Sequence, residues 1–413
     1  MNEALQKTND PYAIPLAEIN VADPALFMHD QHWAFFDRLR EEAPVHYCHD
    51  SVCGPFWSIT RFNDIMEIEK NPVAFSSEGS ITLMDRPQNF NTESFISMDP
   101  PKHDVQRMSV SGVVAPVNLA KLEPIIRERA CNILDDLPID EPFNWVDEVS
   151  IELTTQMLAT LFDFPYEDRY RLTYWSDMAT SSELQGGPTP ESERQAALRE
   201  CLEVFTELWN ERVKRDPNDS FDLITMMAHN RDMQNMDPLE YLGNLILLIV
   251  GGNDTTRNSL TGGIYFMNQF PEQFEKLKAN HKLIPKAVPE IIRYQTPLAY
   301  MRRTATKDVQ FHDQQIREGD KVAMWYVSGN RDATVIENPY QFDIARDNPR
   351  HHLSFGFGIH RCMGNRLAEM QLRIVWEEIL KRFHDIEVVG DPLRVQSFFV
   401  KGYEDLPVII HAC

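Results

Sequence analysis

One cysteine near the carboxyl end of the sequence lies in a setting that favours metal ligation. Residues 355–364 read Phe-Gly-Phe-Gly-Ile-His-Arg-Cys-Met-Gly, and a helical pattern follows them. A helix N-terminus carries unpaired N–H groups and the positive end of the dipole, and both favour the thiolate of Cys362. Such a thiolate is a soft ligand, and haem iron is one metal that takes a lone cysteine. The competing interpretation is a small buried side chain that only packs.

A second group of unusual residues interrupts the longest apolar helical stretch, residues 238–267. Positions 251–256 read Gly-Gly-Asn-Asp-Thr-Thr. Each glycine costs about 1 kcal/mol against alanine in a helix interior, and a buried acid costs more unless it is paired. Such violations cluster at functional sites. Taken alone, the segment is equally consistent with a ligand-binding groove and with a kinked, capped helix.

Two further pairs have the spacing of one helix face. His103 and Arg107 lie four positions apart, and Glu290 and Arg293 lie three apart. Side chains at these spacings meet on a helix surface. Taken alone, the first pair favours a solvated face and the second an ordinary surface salt bridge.

Together these motifs resemble the cytochromes P-450, in that family's order, from about residue 30 to the C-terminus. The family's cysteine-loop pattern, F-G-x-G-x-H-x-C-x-G, has every fixed position filled. The resemblance implies that Cys362 is the axial ligand of a haem b iron. It also implies that Asp254 and Thr255 deliver protons to dioxygen, and that Glu290 and Arg293 form a structural cluster with Arg346.

The resemblance further implies which residues contact the haem. Its two carboxylates need local cations in an otherwise acidic protein, and four side chains match the family's propionate-binding positions. The full implied set is His103, Arg107, Gly251, Arg303, Phe355, His360, Cys362 and Gly364.

Residues 97–103 and 251–259 are similar to the bacterial branch that hydroxylates the terminal methyl of medium-chain alkanes, fatty acids or alcohols. By analogy, the pocket would use the polar loop 79–98 and eight further residues. These are Leu247, Val250, Gly251, Leu298, Ala299, Met301, Phe398 and Phe399. The set is apolar, as an alkane requires, but aliphatic residues are also ordinary core material. Another hydrophobic substrate, such as a terpene, therefore remains open.

The resemblance implies electron supply from NAD(P)H through a reductase and a 2Fe–2S ferredoxin, because no flavin or iron–sulfur domain is fused to this sequence. Glu369 replaces the arginine that often follows the cysteine loop in the family, which alters the surface for a redox partner. Three alternatives stay open: a peroxygenase, a non-enzymatic haem sensor, and a helical protein without a cofactor. The first two would not need the Asp254–Thr255 pair.

The elements that must position these residues are mainly helical. Three-to-four spacing of apolar residues predicts helices over 32–42, 119–137, 146–162, 166–181, 191–215 and 238–267. Strand patterns are few and cover 56–60, 309–311, 321–325 and 408–411. We therefore expect a mainly α protein with a small β region, the cytochrome P-450 fold, in which a long central helix lies over the haem. One domain would span residues 1–413, and residues 1–27 would be extended.

The net charge and the composition of the sequence limit the classes of partner that the protein can bind. The sequence has 63 acidic and 40 basic residues, a net charge of −23, and such a surface repels nucleic acid and anionic membranes. No run of about 20 apolar residues occurs, and the first residues show no signal-peptide core. These features predict no membrane anchor. Six scattered cysteines without a C-x-x-C pair indicate reduced thiols and a cytoplasmic protein.

Overall fold

Helices dominate the computed structural model, which describes residues 10–183, 187–218 and 220–412. The first helices in this part of the chain are α1 Pro24–Met28, α2 His32–Glu42, α3 Phe62–Glu69, α4 Lys102–Ser111, α5 Pro116–Asp135, α6 Glu152–Phe162 and α7 Tyr170–Thr180. They are followed by α8 Glu191–Arg212, α9 Leu223–His229, α10 Pro238–Gln269, α11 Pro271–Ala279, α12 Ile284–Gln295, α13 Tyr326–Gly329 and α14 Asn365–Arg382.

The strands are short and form small sheets. They are β1 Val45–Cys48, β2 Phe56–Ile59, β3 Phe75–Ser76, β4 Phe143–Asn144, β5 Met301–Ala305, β6 Val309–Phe311, β7 Gln314–Ile316, β8 Lys321–Met324, β9 Phe383–Val388, β10 Leu393–Arg394, β11 Tyr403–Asp405 and β12 Pro407–Ala412. The largest sheet has the order β1-β2-β8-β5-β3, with β2 and β8 parallel and its other pairs antiparallel. A second sheet has the order β4-β12-β9, and β6-β7 and β10-β11 are two-stranded.

Helix α10 organises the helical part of the molecule. Asp237 caps it by accepting a hydrogen bond from the Leu239 N–H at 2.8 Å, and Pro238 occupies the first turn, where its missing N–H costs nothing. The helix packs against α6, α7, α12 and α14, and most of its second half is buried. It is continuous through residues 251–256, so the two glycines do not break it.

Among the described residues, three apolar clusters make up the core. The largest joins the helices around α10. The other two lie on the sheet side of the molecule, one around Trp325 and Phe399 and one around Ile59 and Phe75. Side chains of the loop that carries Cys362, of strand β5 and of α10 line one cavity. Within the described residues, no helix is long and apolar enough to cross a bilayer.

The expectation of an extended segment over residues 1–27 is wrong for the part that the structure describes, 10–27. Short 3-10 turns cover Pro11–Ala13 and Leu16–Glu18, and α1 begins at Pro24. Asp10 and Asp23 cap the first of these turns and the helix, respectively, each accepting a backbone N–H two residues later at 2.9 Å. Residues 1–9 lie outside the described part.

Candidate active site

The Cys362 loop is held by backbone geometry that its glycines permit. The Cys362 N–H donates to the Phe355 carbonyl at 2.8 Å, which closes the loop just before α14 begins at Asn365. Gly356 and Gly358 have φ of 63° and 67°, in the left-handed region. A Cβ on Gly358 would lie 2.2 Å from the Glu69 carbonyl oxygen, so the loop can approach α3 this closely only with glycine.

The Cys362 side chain opens onto an internal cavity. Burial within the protein raises the pKa of the Cys362 thiol, although the Gly364 and Asn365 N–H groups and the Arg107 and Arg361 charges act to lower it. The helix N-terminus and the neighbouring arginines thus act on the thiol in the predicted direction, and the loss of hydration opposes them. A coordinating metal deprotonates a thiol outright.

One cavity of about 340 Å³ joins the Cys362 loop to the face of α10. Six of the eight predicted pocket residues line it: Leu247, Val250, Gly251, Leu298, Met301 and Phe399. The other two are corrections to the prediction. Ala299 is fully buried and its N–H donates to the Phe399 carbonyl, and Phe398 stacks on Tyr300. Residues of the 79–98 loop complete the lining.

Thr255 and Asp254 face different surroundings. Thr255 lines the cavity, and its Oγ1 donates to the Gly251 carbonyl at 3.0 Å. Asp254 is fully buried between α10 and α7, where its Oδ1 lies 2.9 Å from Arg257 Nη2 and 3.3 Å from Ser176 Oγ. Burial raises the pKa of Asp254 to about 6 despite the Arg257 charge. Its Oδ2 has no hydrogen-bond partner among the described residues.

The predicted propionate-binding residues gather beside the Cys362 loop. The rings of His103 and His360 meet edge to face at 4.4 Å, and Arg107 donates to the Arg361 carbonyl. Arg107, Arg303 and His360 line the cavity, whereas His103 lies behind His360. Burial and the neighbouring cations lower the pKa of His360 to about 2, so its imidazole is neutral.

The structural cluster has the predicted partners. Arg293 Nε and Nη2 each lie 2.8 Å from a Glu290 carboxylate oxygen, and both residues are buried. Arg346 Nε reaches the same carboxylate at 3.1 Å, and the Asp343 N–H donates to it at 2.9 Å. The cluster ties α12 to the segment after α13 and lies outside the cavity lining.

The family model described as cytochrome P450 matches residues 124–394 of the chain. The chain belongs to the cytochrome P450 family. Linalool 8-monooxygenase from Pseudomonas putida is 32% identical over 95% of this chain and 98% of its own length. A methyl-branched lipid omega-hydroxylase from Mycobacterium bovis is 29% identical over 96% of each chain. These relatives agree with a monooxygenase activity for this cytochrome P450.

Solved P450 structures superpose closely on the fold. CYP153D17 from Sphingomonas sp. PAMC 26605 has a TM-score of 0.90 and 47% identity, covering 95% of this chain and 98% of its own. Cytochrome P450-153 from Novosphingobium aromaticivorans has a TM-score of 0.89 and 43% identity, covering 95% and 99%. The predicted fold, mainly helical with small sheets, is confirmed. The family implies a haem cofactor, dioxygen and redox partners that supply electrons.

The residues around the P450 cysteine loop fit a haem. His103 Nε2 and His360 Nδ1 are buried without a hydrogen-bond partner among the described residues, which is costly unless a ligand contacts them. Arg107 and Arg303 line the cavity beside these rings. A flat group with two carboxylates would satisfy these donors, and Cys362 would offer a sulfur ligand for its iron.

One buried acid in this P450 site was not expected from the sequence. The Glu69 carboxylate lies 3.5 Å from Arg303 and accepts hydrogen bonds from the Tyr326 hydroxyl and the Phe357 N–H. Burial raises the pKa of Glu69, while these partners lower it. Glu69 follows Phe62 and Ile65 on the apolar face of α3, and a carboxylate at such a position is the signal that could have indicated it.

Proposed function

We propose that this cytochrome P450 hydroxylates the terminal methyl group of medium-chain linear substrates, either alkanes or fatty acids. The observation that carries the proposal is the cavity, whose lining along α10 is aliphatic from Ile246 to Val250 and continues to Thr255, and which Cys362 also lines. The similarity to the two P450-153 structures and to a lipid omega-hydroxylase supports a terminal position.

Haem b would be held by the residues that border the cysteine loop. Cys362 would ligate the iron, and Phe355, Gly364 and Gly251 would border the ring on its two sides. His103, Arg107, Arg303 and His360 would hold the two propionates. When bound, a haem with a thiolate ligand supplies the electron-rich centre that favours O–O cleavage.

Thr255 and Asp254 would manage the protons that this chemistry consumes. Thr255 Oγ1 already donates to Gly251 O, so its hydroxyl oxygen faces the cavity as an acceptor and can pass a proton on. Asp254 Oδ2, which lacks a partner among the described groups, can take up a proton at a pKa of about 6. Arg257 and Asp177 link this buried acid to the surface, because Asp177 is half exposed.

Electrons would come from NAD(P)H through a reductase and a 2Fe–2S ferredoxin. Arg361 and Arg366 are exposed beside Cys362 and would attract an acidic partner, with an association rate that falls with salt. Glu369, which replaces the family's common arginine, is paired with Arg350 at 2.7 Å. Its negative charge on this surface is therefore largely offset.

Selectivity for the chain end must come from positioning, since internal C–H bonds are weaker than terminal ones. The test is product analysis with decane and decanoic acid, using a surrogate ferredoxin and reductase. We expect terminal alcohols to dominate. A mixture dominated by internal alcohols would contradict the proposal. Fast turnover of linalool with slow turnover of linear chains would favour a terpene substrate.

A spectrum and two turnover assays on the same enzyme distinguish the remaining alternatives. A carbon monoxide difference spectrum of the reduced protein reports whether a thiolate-ligated haem is bound. Turnover with peroxide but not with any electron-donor pair would indicate a peroxygenase. Failure of both routes in a protein with an intact thiolate-haem spectrum would indicate a haem sensor.

A further inference from the structure

Four arginines line the cavity, and Arg86 differs from the other three. Arg107 and Arg303 lie beside the cysteine loop, where the haem propionates would be. Arg194, at the start of α8, is paired with Glu191 at 3.0 Å. Arg86, in the 79–98 loop, forms no ion pair with any described residue, and the same loop contributes Pro87 and Phe90 to the lining.

The Arg86 guanidinium is only partly satisfied. Its Nη2 donates to Ser97 Oγ at 2.9 Å, whereas its Nη1 is buried and has no partner in the described part of the chain. Burial lowers the pKa of Arg86 to about 10, with Arg302 and Arg194 adding repulsion and Glu93 opposing it. The group is therefore charged at neutral pH and incompletely paired, which is costly unless an anion binds it.

The two cations that lower the pKa of Arg86, Arg302 and Arg194, are less suited to bind an anion because each is already paired. Arg302 is bonded to Asp85 at 2.6 Å, and Arg194 to Glu191. Glu93, whose charge raises the pKa of Arg86, lies 3.8 Å from Lys102 Nζ and forms no ion pair with Arg86. The cavity wall near Arg86 thus carries a net positive charge that no described carboxylate neutralises at hydrogen-bond distance.

A series of hydrogen bonds through residues 94–97 connects Arg86 to the first half of α10. Ser97, which binds Arg86, also bonds to Ser94, and the adjacent Phe95 N–H donates to Asn244 Oδ1 at 3.0 Å. Thr255 follows Asn244 by eleven residues on the same helix, about 17 Å of helix length. Between these two levels, the cavity wall is formed by Ile246, Leu247, Val250 and Gly251.

We propose that Arg86 binds the carboxylate of a linear fatty acid whose chain lies along α10 and ends near Thr255. This assignment rests on the proposed function and decides between its two substrate classes in favour of the acid. The guanidinium fork suits a carboxylate. Because Ser97 binds Nη2 of Arg86, the Nη1 of Arg86 stays free for that contact. Anchoring the polar end would also fix which carbon reaches the reacting position.

The test compares three ligands that share one chain: decanoic acid, its methyl ester and decane. Dissociation constants are measured by the Soret shift of the haem-loaded enzyme, for wild type, Arg86→Gln and Arg86→Lys. We expect wild type to bind the acid more tightly than the ester. Arg86→Gln should weaken acid binding about 10- to 100-fold and leave the ester and decane unchanged. The affinity of Arg86→Lys for the acid should lie between those of wild type and Arg86→Gln, since lysine keeps the charge but loses the guanidinium fork. Arg231→Gln, at an exposed position outside the cavity lining, is the matched control.

Equal weakening of all three ligands by Arg86→Gln would overturn the assignment, as would a wild-type enzyme that binds the acid no better than the ester. The wild-type comparison stands even if a variant loads haem poorly. Terminal hydroxylation of decane, together with an Arg86→Gln variant that binds the acid as tightly as wild type, would remove this assignment and leave the proposed function intact. Internal hydroxylation of every ligand would remove the proposed function instead.

Discussion

Arg257 Nη2 lies 2.9 Å from Asp254 Oδ1, one turn earlier on α10. The same guanidinium reaches Asp177 on α7 through Nη1 at 3.0 Å. Asp254 is fully buried and Asp177 is half exposed, so one arginine joins a carboxylate in the core to a carboxylate at the surface. The buried acid is thereby linked to a carboxylate at the surface, although its own side chain is not exposed.

We expect Asp254→Asn to slow product formation by about a hundred-fold, because an amide cannot take up and release a proton as the acid does. Substrate binding should not change, since Asp254 does not line the cavity. The measurement pairs turnover with the Soret shift on substrate binding. A large loss of binding together with turnover would show that Asp254 is needed for folding of the site rather than for protons.

The raised pKa of Asp254 gives a signed prediction for stability. Its pKa lies near 6 in the folded protein against an ordinary value of 3.8, so the folded state holds this proton more tightly. The stabilising contribution of protonated Asp254 to the free energy of unfolding is therefore fully present below about pH 4. It is lost as the pH rises through about 6. Asp254→Asn should remove this pH dependence, which amounts to about 3 kcal/mol across the range. Urea unfolding at both ends of the range measures it, with exposed Asp313→Asn as the control.

Thr255→Ala should uncouple electron use from product. The hydroxyl lines the cavity, so its loss leaves the reacting oxygen without a side-chain proton relay on this helix face. We expect NAD(P)H consumption to continue while product per NAD(P)H falls by at least about ten-fold. Thr255→Ser keeps the hydroxyl and should recover much of the coupling. Unchanged coupling in Thr255→Ala would favour a peroxygenase.

Helix positions followed closely from periodicity where apolar spacing and caps agree. The prediction for α2 matches its bounds, and α10 ends two residues beyond the predicted 267. The prediction of an extended chain over the N-terminal segment, which rests on its proline and aspartate content, is wrong. Asp10-Pro11 and Asp23-Pro24 are instead capping pairs, in which Asp accepts the N–H two residues on and Pro opens the turn.

The site was predictable where the chemistry is local and less so where it depends on packing. The cysteine loop and the Asp254–Thr255 pair each lie within a few residues of sequence. Ala299 and Phe398 were wrong because each is adjacent to a true cavity residue, and neighbours in extended chain point to opposite sides. Arg86 could not be predicted, because its loop has no periodicity that says which side chains turn inward.

The Glu290–Arg293 pair should be worth far more to stability than a surface ion pair. Both groups are fully buried, so Glu290→Gln leaves two arginines without their carboxylate, and we expect a loss of about 3–5 kcal/mol in the free energy of unfolding. Glu369→Gln, which breaks the exposed pair with Arg350, should cost under about 1 kcal/mol. Urea unfolding of the two variants makes the comparison. Similar small losses would show that burial does not set the strength of the inner pair.

Substitutions of two glycines with similar φ distinguish the effect of backbone strain from the effect of close packing. Gly54 has φ +73 and open space where a Cβ would be, whereas Gly358 has φ +67 and the Glu69 carbonyl oxygen 2.2 Å away. Gly54→Ala should therefore cost only about 1–2 kcal/mol, the penalty of a left-handed alanine. Gly358→Ala must also push the cysteine loop away from α3, which moves the Phe357 N–H and Cys362 relative to Glu69. We expect it to lose the thiolate-haem band in the reduced carbon monoxide spectrum, while Gly54→Ala keeps it. Equal spectra in the two variants would show that the loop can relax without moving its cysteine.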